Sequence, residues 1–251
     1  MPAADTSTLD DRIDAVTHAL ANAAHAAGRD PASVALVAVS KTFPADAVAQ
    51  AYAGGLRQFG ENYVQEGCAK VAALTAAGCQ DIIWHFIGPL QSNKSRMVAE
   101  HFDWVHGVDR ESIARRLSEQ RPAHLPPLRV CLQVNISGEA SKSGVAPDAV
   151  ADLAVTVSAL PRLELRGLMC IPAPCDDAAA QRMPFRQLAA LRDAVCQSTG
   201  LTLPDLSMGM SADYAAAIAE GATLVRIGSA IFGARSPRGE PVPAPPSGAS
   251  A

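Results

Sequence analysis

A closed barrel of eight parallel strands alternating with helices is the fold class this sequence predicts, and three observations predict it. Eight short strand signals alternate with segments of helical period along almost the whole chain. The length, 251 residues, suits one α/β barrel and buries roughly three quarters of the unfolded surface without staples. No glycine-rich dinucleotide fingerprint follows the first strand, which weakens an open doubly wound sheet as the competing architecture.

The elements follow in order. Residues 8–27 carry Leu9, Ile13, Val16 and Leu20 at helical spacing, with Asp10 and Asp11 early and Gly28 beyond. They read as an opening helix within the first 30 residues. Strands are predicted at 34–40, 57–60, 82–88, 104–108, 128–135, 163–170, 205–210 and 223–228. Helices are predicted between them at 45–53, 63–76, 93–101, 110–120, 147–160, 178–199 and 211–220. Pro147-Asp148 suits a first helical turn, and Ser211 reads as an N-cap. One barrel is expected over 1–235. The tail 236–251, rich in proline, glycine and serine, offers no apolar face and is expected to be disordered.

Composition excludes several functions. Apolar residues make up 49%, charged residues 18%, and the net charge is −4, so no basic surface speaks for nucleic acid or an anionic membrane. No apolar run has spanning length, and the N-terminal residues lack the pattern of a signal peptide. The six cysteines are scattered, without C-x-x-C pairs or a histidine cluster at zinc spacing. A reduced cytoplasmic protein without a metal is the expectation.

In such a barrel the residue after each strand faces one rim, where the fold places its chemistry. Lys41 ends the apolar run 34–40. Partial desolvation there would leave more neutral amine to attack a carbonyl, whereas a lysine simply leaving the sheet would snorkel to solvent. Ser211, Gly228 and Ser229 follow the last two strands, and 229–233 could form the short helix that receives a phosphate in barrels. A turn glycine is the plainer account of Gly228. Asn62 could line the site or cap the next helix, and His85 could stack on a ligand ring or sit satisfied in the core. Arg226, inside the apolar stretch 224–227, needs a partner because unpaired burial is costly. Glu139 and Lys142, in a glycine-bounded loop, are either a solvated pair or part of a rim-closing loop. Lysine and phosphate cup together point to a phosphorylated carbonyl compound.

Five segments in order, 39–41, 59–63, 84–94, 207–213 and 225–233, resemble the pyridoxal 5′-phosphate (PLP) homeostasis proteins, the YggS/PROSC-type PLP-binding family. That family is similar to the barrel domain of alanine racemase. The resemblance covers about 9–235. It implies a (β/α)8 barrel of the alanine racemase N-terminal type that binds PLP on Lys41 as an internal Schiff base. It implies a phosphate held by Ser211, Gly228 and Ser229, with Ser207 and Met208 nearby. It places Arg226 beside the pyridine nitrogen, disfavouring its protonation, with Asn62 and His85 along the ring. Pro89 and Ser229 depart from the wider pattern, although Ser229 keeps a hydroxyl. The implied role is vitamin B6 homeostasis: storing, buffering or delivering PLP without robust turnover, with PLP-dependent apoenzymes as recipients and a monomer or weak homodimer as the state. An amino-acid racemase is the alternative, and a class I aldolase using Lys41 directly is the other.

Overall fold

The computed structural model describes residues 7–139, 143–175 and 177–233. The tail from Ser236 and Lys142 therefore lie outside the described residues. All eight predicted strands form: β1 (Ala35–Val39), β2 (Gln58–Glu61), β3 (Ile83–Phe86), β4 (Trp104–Val108), β5 (Leu128–Gln133), β6 (Leu163–Met169), β7 (Asp205–Ser207) and β8 (Leu224–Ile227). Each pairs in parallel with its sequence neighbour, and β8 pairs back onto β1 with Ala35 opposite Leu224 and Ala38 opposite Ile227, which closes the barrel.

Helices alternate with the strands: α1 (Leu9–Ala26), α2 (Ala45–Ala53), α3 (Val64–Ala76), α4 (Ser95–His101), α5 (Glu111–Gln120), α6 (Val150–Ser158), α7 (Ala178–Thr199), α8 (Tyr214–Ala219) and α9 (Ser229–Phe232). Thr8 caps α1 in a reciprocal pair with Asp11. Arg12 of α1 donates to the Ile231 carbonyl at 2.7 Å, tying the opening helix to α9. Among the described residues, no helix is long and apolar enough to cross a membrane, and no group of side chains is arranged to hold a metal.

Side chains alternate inward and outward along each strand. Outward residues such as Phe59, Val130 and Leu206 join the helices in the larger core. Inward residues Val37, Trp104, Cys131, Met169 and Leu224 form a separate small core inside the barrel. Two expectations are corrected. Strands β3, β5 and β7 leave their ladders two to three residues before the predicted ends. Their apolar runs continue because 87–89, 134–137 and 208–212 pack the rim, and apolarity does not distinguish rim from ladder. Helix α8 starts at Tyr214 with Asp213, not Ser211, in the capping position; the Asp213 carboxylate accepts from the Met210 N–H.

Candidate functional site

A cavity of about 540 Å³ opens at the C-terminal ends of the strands. Six of the nine residues expected from sequence line it: Lys41, Asn62, Ser211, Arg226, Gly228 and Ser229. Parity explains the convergence. Val37, Val39 and Lys41 share the inward face of β1, and Leu224, Arg226 and Gly228 share that of β8. The register sets Val37 beside Arg226, so Lys41 stands above the guanidinium on the neighbouring strand.

The backbone on both sides of Lys41 is held from outside the barrel. Lys70 of α3 donates to the Ser40 carbonyl at 2.8 Å, and Glu66 of α3 accepts from the Thr42 N–H at 2.5 Å. Thr42 adopts φ 71°, a left-handed conformation that a β-branched residue rarely takes. Lys70 spends its three donors on Ser40 O, Glu61 Oε1 and Glu66 Oε1, the last two at 2.7 Å. Glu61 Oε1 also accepts from the Ser40 hydroxyl at 2.6 Å. Burial pushes the Glu61 carboxyl above its ordinary range, opposed by Lys70 and by Ser40. Sequence reading missed this cluster. Its signals were a carboxylate directly after the predicted strand 57–60 and a Glu66/Lys70 spacing of four in a helix.

Asn62 lines the cavity and does not cap the next helix. Tyr63, not Asn62, precedes α3 in the capping position, and it makes no side-chain cap. The Asn62 amide lies against Gly88, where any Cβ would come within 2.0 Å of its Oδ1. Gly228 is needed for a comparable reason: a Cβ there would meet the Val39 carbonyl at 2.9 Å. That glycine thus permits the close approach of β8 to β1 as well as any approach of a ligand to the backbone. At the start of α9, the N–H groups of Ser229 and Ala230 precede the helix's own ladder, whose first bonds run from Ile231 and Phe232 to Gly228.

Three expected residues lie elsewhere. His85 is fully buried inside the barrel, stacked on Trp104 with ring centroids 5.5 Å apart. His85 sits in the core, with a second histidine as its partner. Its Nδ1 and His106 Nε2 are 2.9 Å apart. Ser207 sits beneath the cavity, 2.7 Å from His106 Nδ1 and accepting from Arg226 at 2.6 Å. Met208 faces the opposite way into the helix-side core, and its N–H is bonded to the Leu224 carbonyl. Met210, two residues on, is the methionine that reaches the cavity. Gln133 at the end of β5, and Asn135 and Ser137 beyond it, also line the cavity and were not predicted as ligand contacts.

Arg226 finds its partners in a hydroxyl and a carbonyl, Ser207 Oγ and Cys170 O, the latter at 3.0 Å. Burial lowers its pKa from the ordinary value. Burial also lowers that of His85 to about 3 and that of His106 well below its ordinary value, so both imidazoles are neutral at physiological pH. Among the described residues lining the cavity there is no histidine, cysteine, tyrosine or carboxylate. Tyr63 lies instead along an adjoining cleft with Lys94 and Arg110.

One amine, one guanidinium, four serine hydroxyls and the start of a helix at the strand ends define an α/β barrel with a lysine-bearing, anion-compatible cavity. Residues 12–236 match the family described as alanine racemase, N-terminal domain. A Pseudomonas aeruginosa pyridoxal phosphate homeostasis protein is 59% identical over 229 residues, covering 91% of this chain and 96% of that one. The structure of PipY from Synechococcus elongatus with PLP bound is 38% identical, with TM-score 0.78, covering 90% of this chain and all of that one. Alanine racemase from Corynebacterium glutamicum, at 17% identity and TM-score 0.60, shares the fold. The chain belongs to the alanine racemase N-terminal domain family and, within it, to the pyridoxal phosphate homeostasis proteins.

Proposed function

We propose that this protein binds PLP in the Lys41 cavity and serves intracellular PLP homeostasis by holding the cofactor and releasing it to PLP-dependent apoenzymes. One observation carries the reading: Lys41 and Arg226, from adjacent strands, line a single cavity together with Ser211, Gly228 and Ser229. The residues fit the group. PLP supplies an aldehyde that condenses with amines, a pyridine ring that accepts electrons, and a dianionic phosphate. Lys41 is the amine, Ser211, Ser229 and the start of α9 suit the phosphate, and Arg226 suits the ring nitrogen. Asn62, directly after β2, would line the ring. Ser207, Met208 and His85 do not line the cavity.

Racemisation requires two bases on opposite faces of a carbon acid. Among the described lining residues Lys41 is the one side chain able to accept a proton, because Arg226 stays protonated. This favours a carrier over a racemase. A phosphorylated-sugar aldolase would also use Lys41, and absorbance separates the two. Purified protein should be yellow, and borohydride should fix the chromophore on the peptide containing Lys41. Lys41→Ala should lose covalent attachment altogether. Labelling mainly at Lys94 or Lys142, or a colourless protein that PLP does not colour, would refute the proposal.

A further inference from the structure

The two buried histidines take no part in that reading, yet they are bonded in series to the residue at the ring end of the cavity. From β8 to β3 the contacts run Arg226 Nη1 to Ser207 Oγ at 2.6 Å, Ser207 Oγ to His106 Nδ1 at 2.7 Å, and His106 Nε2 to His85 Nδ1 at 2.9 Å. All four residues are at least nine-tenths buried. The series ends at His85 Nε2, a buried nitrogen without a hydrogen-bond partner.

Guanidinium can only donate, so Ser207 Oγ must accept from it. The serine hydrogen is then free for His106 Nδ1. With Nδ1 accepting, neutral His106 carries its proton on Nε2 and donates it to His85 Nδ1. Neutral His85 must in turn carry its proton on Nε2. This polarity leaves one group unsatisfied, the His85 Nε2–H, and that is the atom found orphaned. The reverse polarity would leave two: the serine hydrogen and the His85 Nε2 lone pair. A charged His106 is disfavoured by burial, by His85 and by the Arg226 cation. Arg129, whose guanidinium lies over Trp104, adds a second cation against His85.

We infer that His106, backed by His85, is a positioning residue that acts through Ser207 on Arg226, in a one-way hydrogen-bonded chain starting at the guanidinium. Each donated proton makes the preceding oxygen or nitrogen a better acceptor, so the chain grips Arg226 more firmly than an isolated serine would. It does so without an anion. A carboxylate in the same place would cancel the charge of Arg226, whereas a neutral pair leaves the cation whole for the ligand. The inference deepens the PLP reading: the ring end of the cavity selects an unprotonated pyridine nitrogen, and His106 holds the group that selects it.

Nitrogen-15 NMR of the imidazoles tests the chain in the protein with and without PLP. At about neutral pH both rings should be neutral Nε2–H tautomers. An Nδ1–H tautomer or an imidazolium at His106 would overturn the inference, and this measurement stands even if PLP binds elsewhere. A second arm uses His106→Leu, which removes both contacts, and His106→Gln, whose amide can accept from Ser207 and donate to His85. In the leucine variant the absorbance band of bound PLP should shift and PLP should dissociate about tenfold faster, the scale of one lost hydrogen bond. The glutamine variant should return both toward the parent values. A folded leucine variant with the parent band and dissociation rate would refute the positioning role.

Discussion

Two buried clusters meet the barrel wall from opposite sides, and each contains a cation with a different electrostatic solution. Outside the wall, under α3, Lys70 is closed by Glu61 and Glu66 and makes three bonds within 2.8 Å. Inside the wall, Arg226 is braced by Ser207 and the Cys170 carbonyl, with two neutral histidines behind. The outer cation faces the backbone that carries Lys41 and does structural work, so cancelling its charge costs nothing in function. The inner cation lines the cavity, and a carboxylate beside it would discard the field that a ligand needs. Parity on the strands sorts the two: Ser40 and Glu61 face outward, while Lys41 and Arg226 face inward.

The comparison breaks most readily at Lys70. Removing one partner of a buried pair leaves an uncompensated charge, and Lys70→Met should destabilise the fold by about 3–5 kcal/mol, read by urea unfolding. Glu61 is fully buried, so the penalty has little route to solvent. Combining Lys70→Met with Glu61→Leu should restore most of the loss, because well-packed apolar residues replace buried pairs at little cost. Arg226→Met should do the converse: a smaller change in stability, about 1–3 kcal/mol for its stranded hydrogen-bond partners, and a large loss of PLP affinity. Equal stability losses at Lys70 and Arg226 would erase the distinction between the clusters.

The fold was legible because parallel strands buried on both faces carry continuous apolar runs, and helices α2 and α7 appear at the bounds their composition suggests. The rim lysine, Asn62, Ser211, Arg226, Gly228 and Ser229 were legible because they follow strands and interrupt apolar stretches. Partners across the barrel were not. His106 meets His85 across 21 residues and Ser207 across 101, and nothing local in Val105-His106-Gly107 announces either contact. Met208 packs into the helix-side core while Met210 lines the cavity, a difference set by the backbone after β7 that a resemblance over 207–213 does not specify.

Acid should expose the inner cluster next. His85 and His106 are neutral in the folded protein but titrate near 6.5 when unfolded. Their contribution is therefore fully present above that value and is lost as pH falls toward about 3 for His85. Each should cost about 1.4 kcal/mol per pH unit in that window, because the unfolded chain takes up the protons. Glu61 has the opposite sign: its raised pKa means that the folded protein gains stability as the carboxyl protonates. Urea midpoints measured from neutral pH down to about 5 should fall more steeply for the parent than for His106→Gln, which lacks one of the two buried titrating groups. Parallel slopes would show that the histidines are already charged or exposed, and the contrast with the outer cluster would fail.

The smallest expected effect concerns the cavity wall just beyond β8. Gly228 and Ser229 are adjacent, yet substituting them asks different questions. A side chain at Gly228 would strike the Val39 carbonyl, so Gly228→Ala disturbs barrel closure and any loss of affinity is ambiguous. Ser229→Ala removes one hydroxyl from the cavity wall and keeps the backbone of α9. A single hydrogen bond to an anion is worth about 1.5–3 kcal/mol when fully formed, and a hydroxyl sharing the phosphate with backbone N–H groups and Ser211 should contribute near the lower end. PLP affinity should therefore fall by roughly tenfold, while unfolding stability stays within about 0.5 kcal/mol. Pyridoxal, which lacks the phosphate, should bind parent and variant alike. If Ser229→Ala weakened pyridoxal as much as PLP, the hydroxyl would belong to the ring, and the assignment of Ser229 to the phosphate would fail.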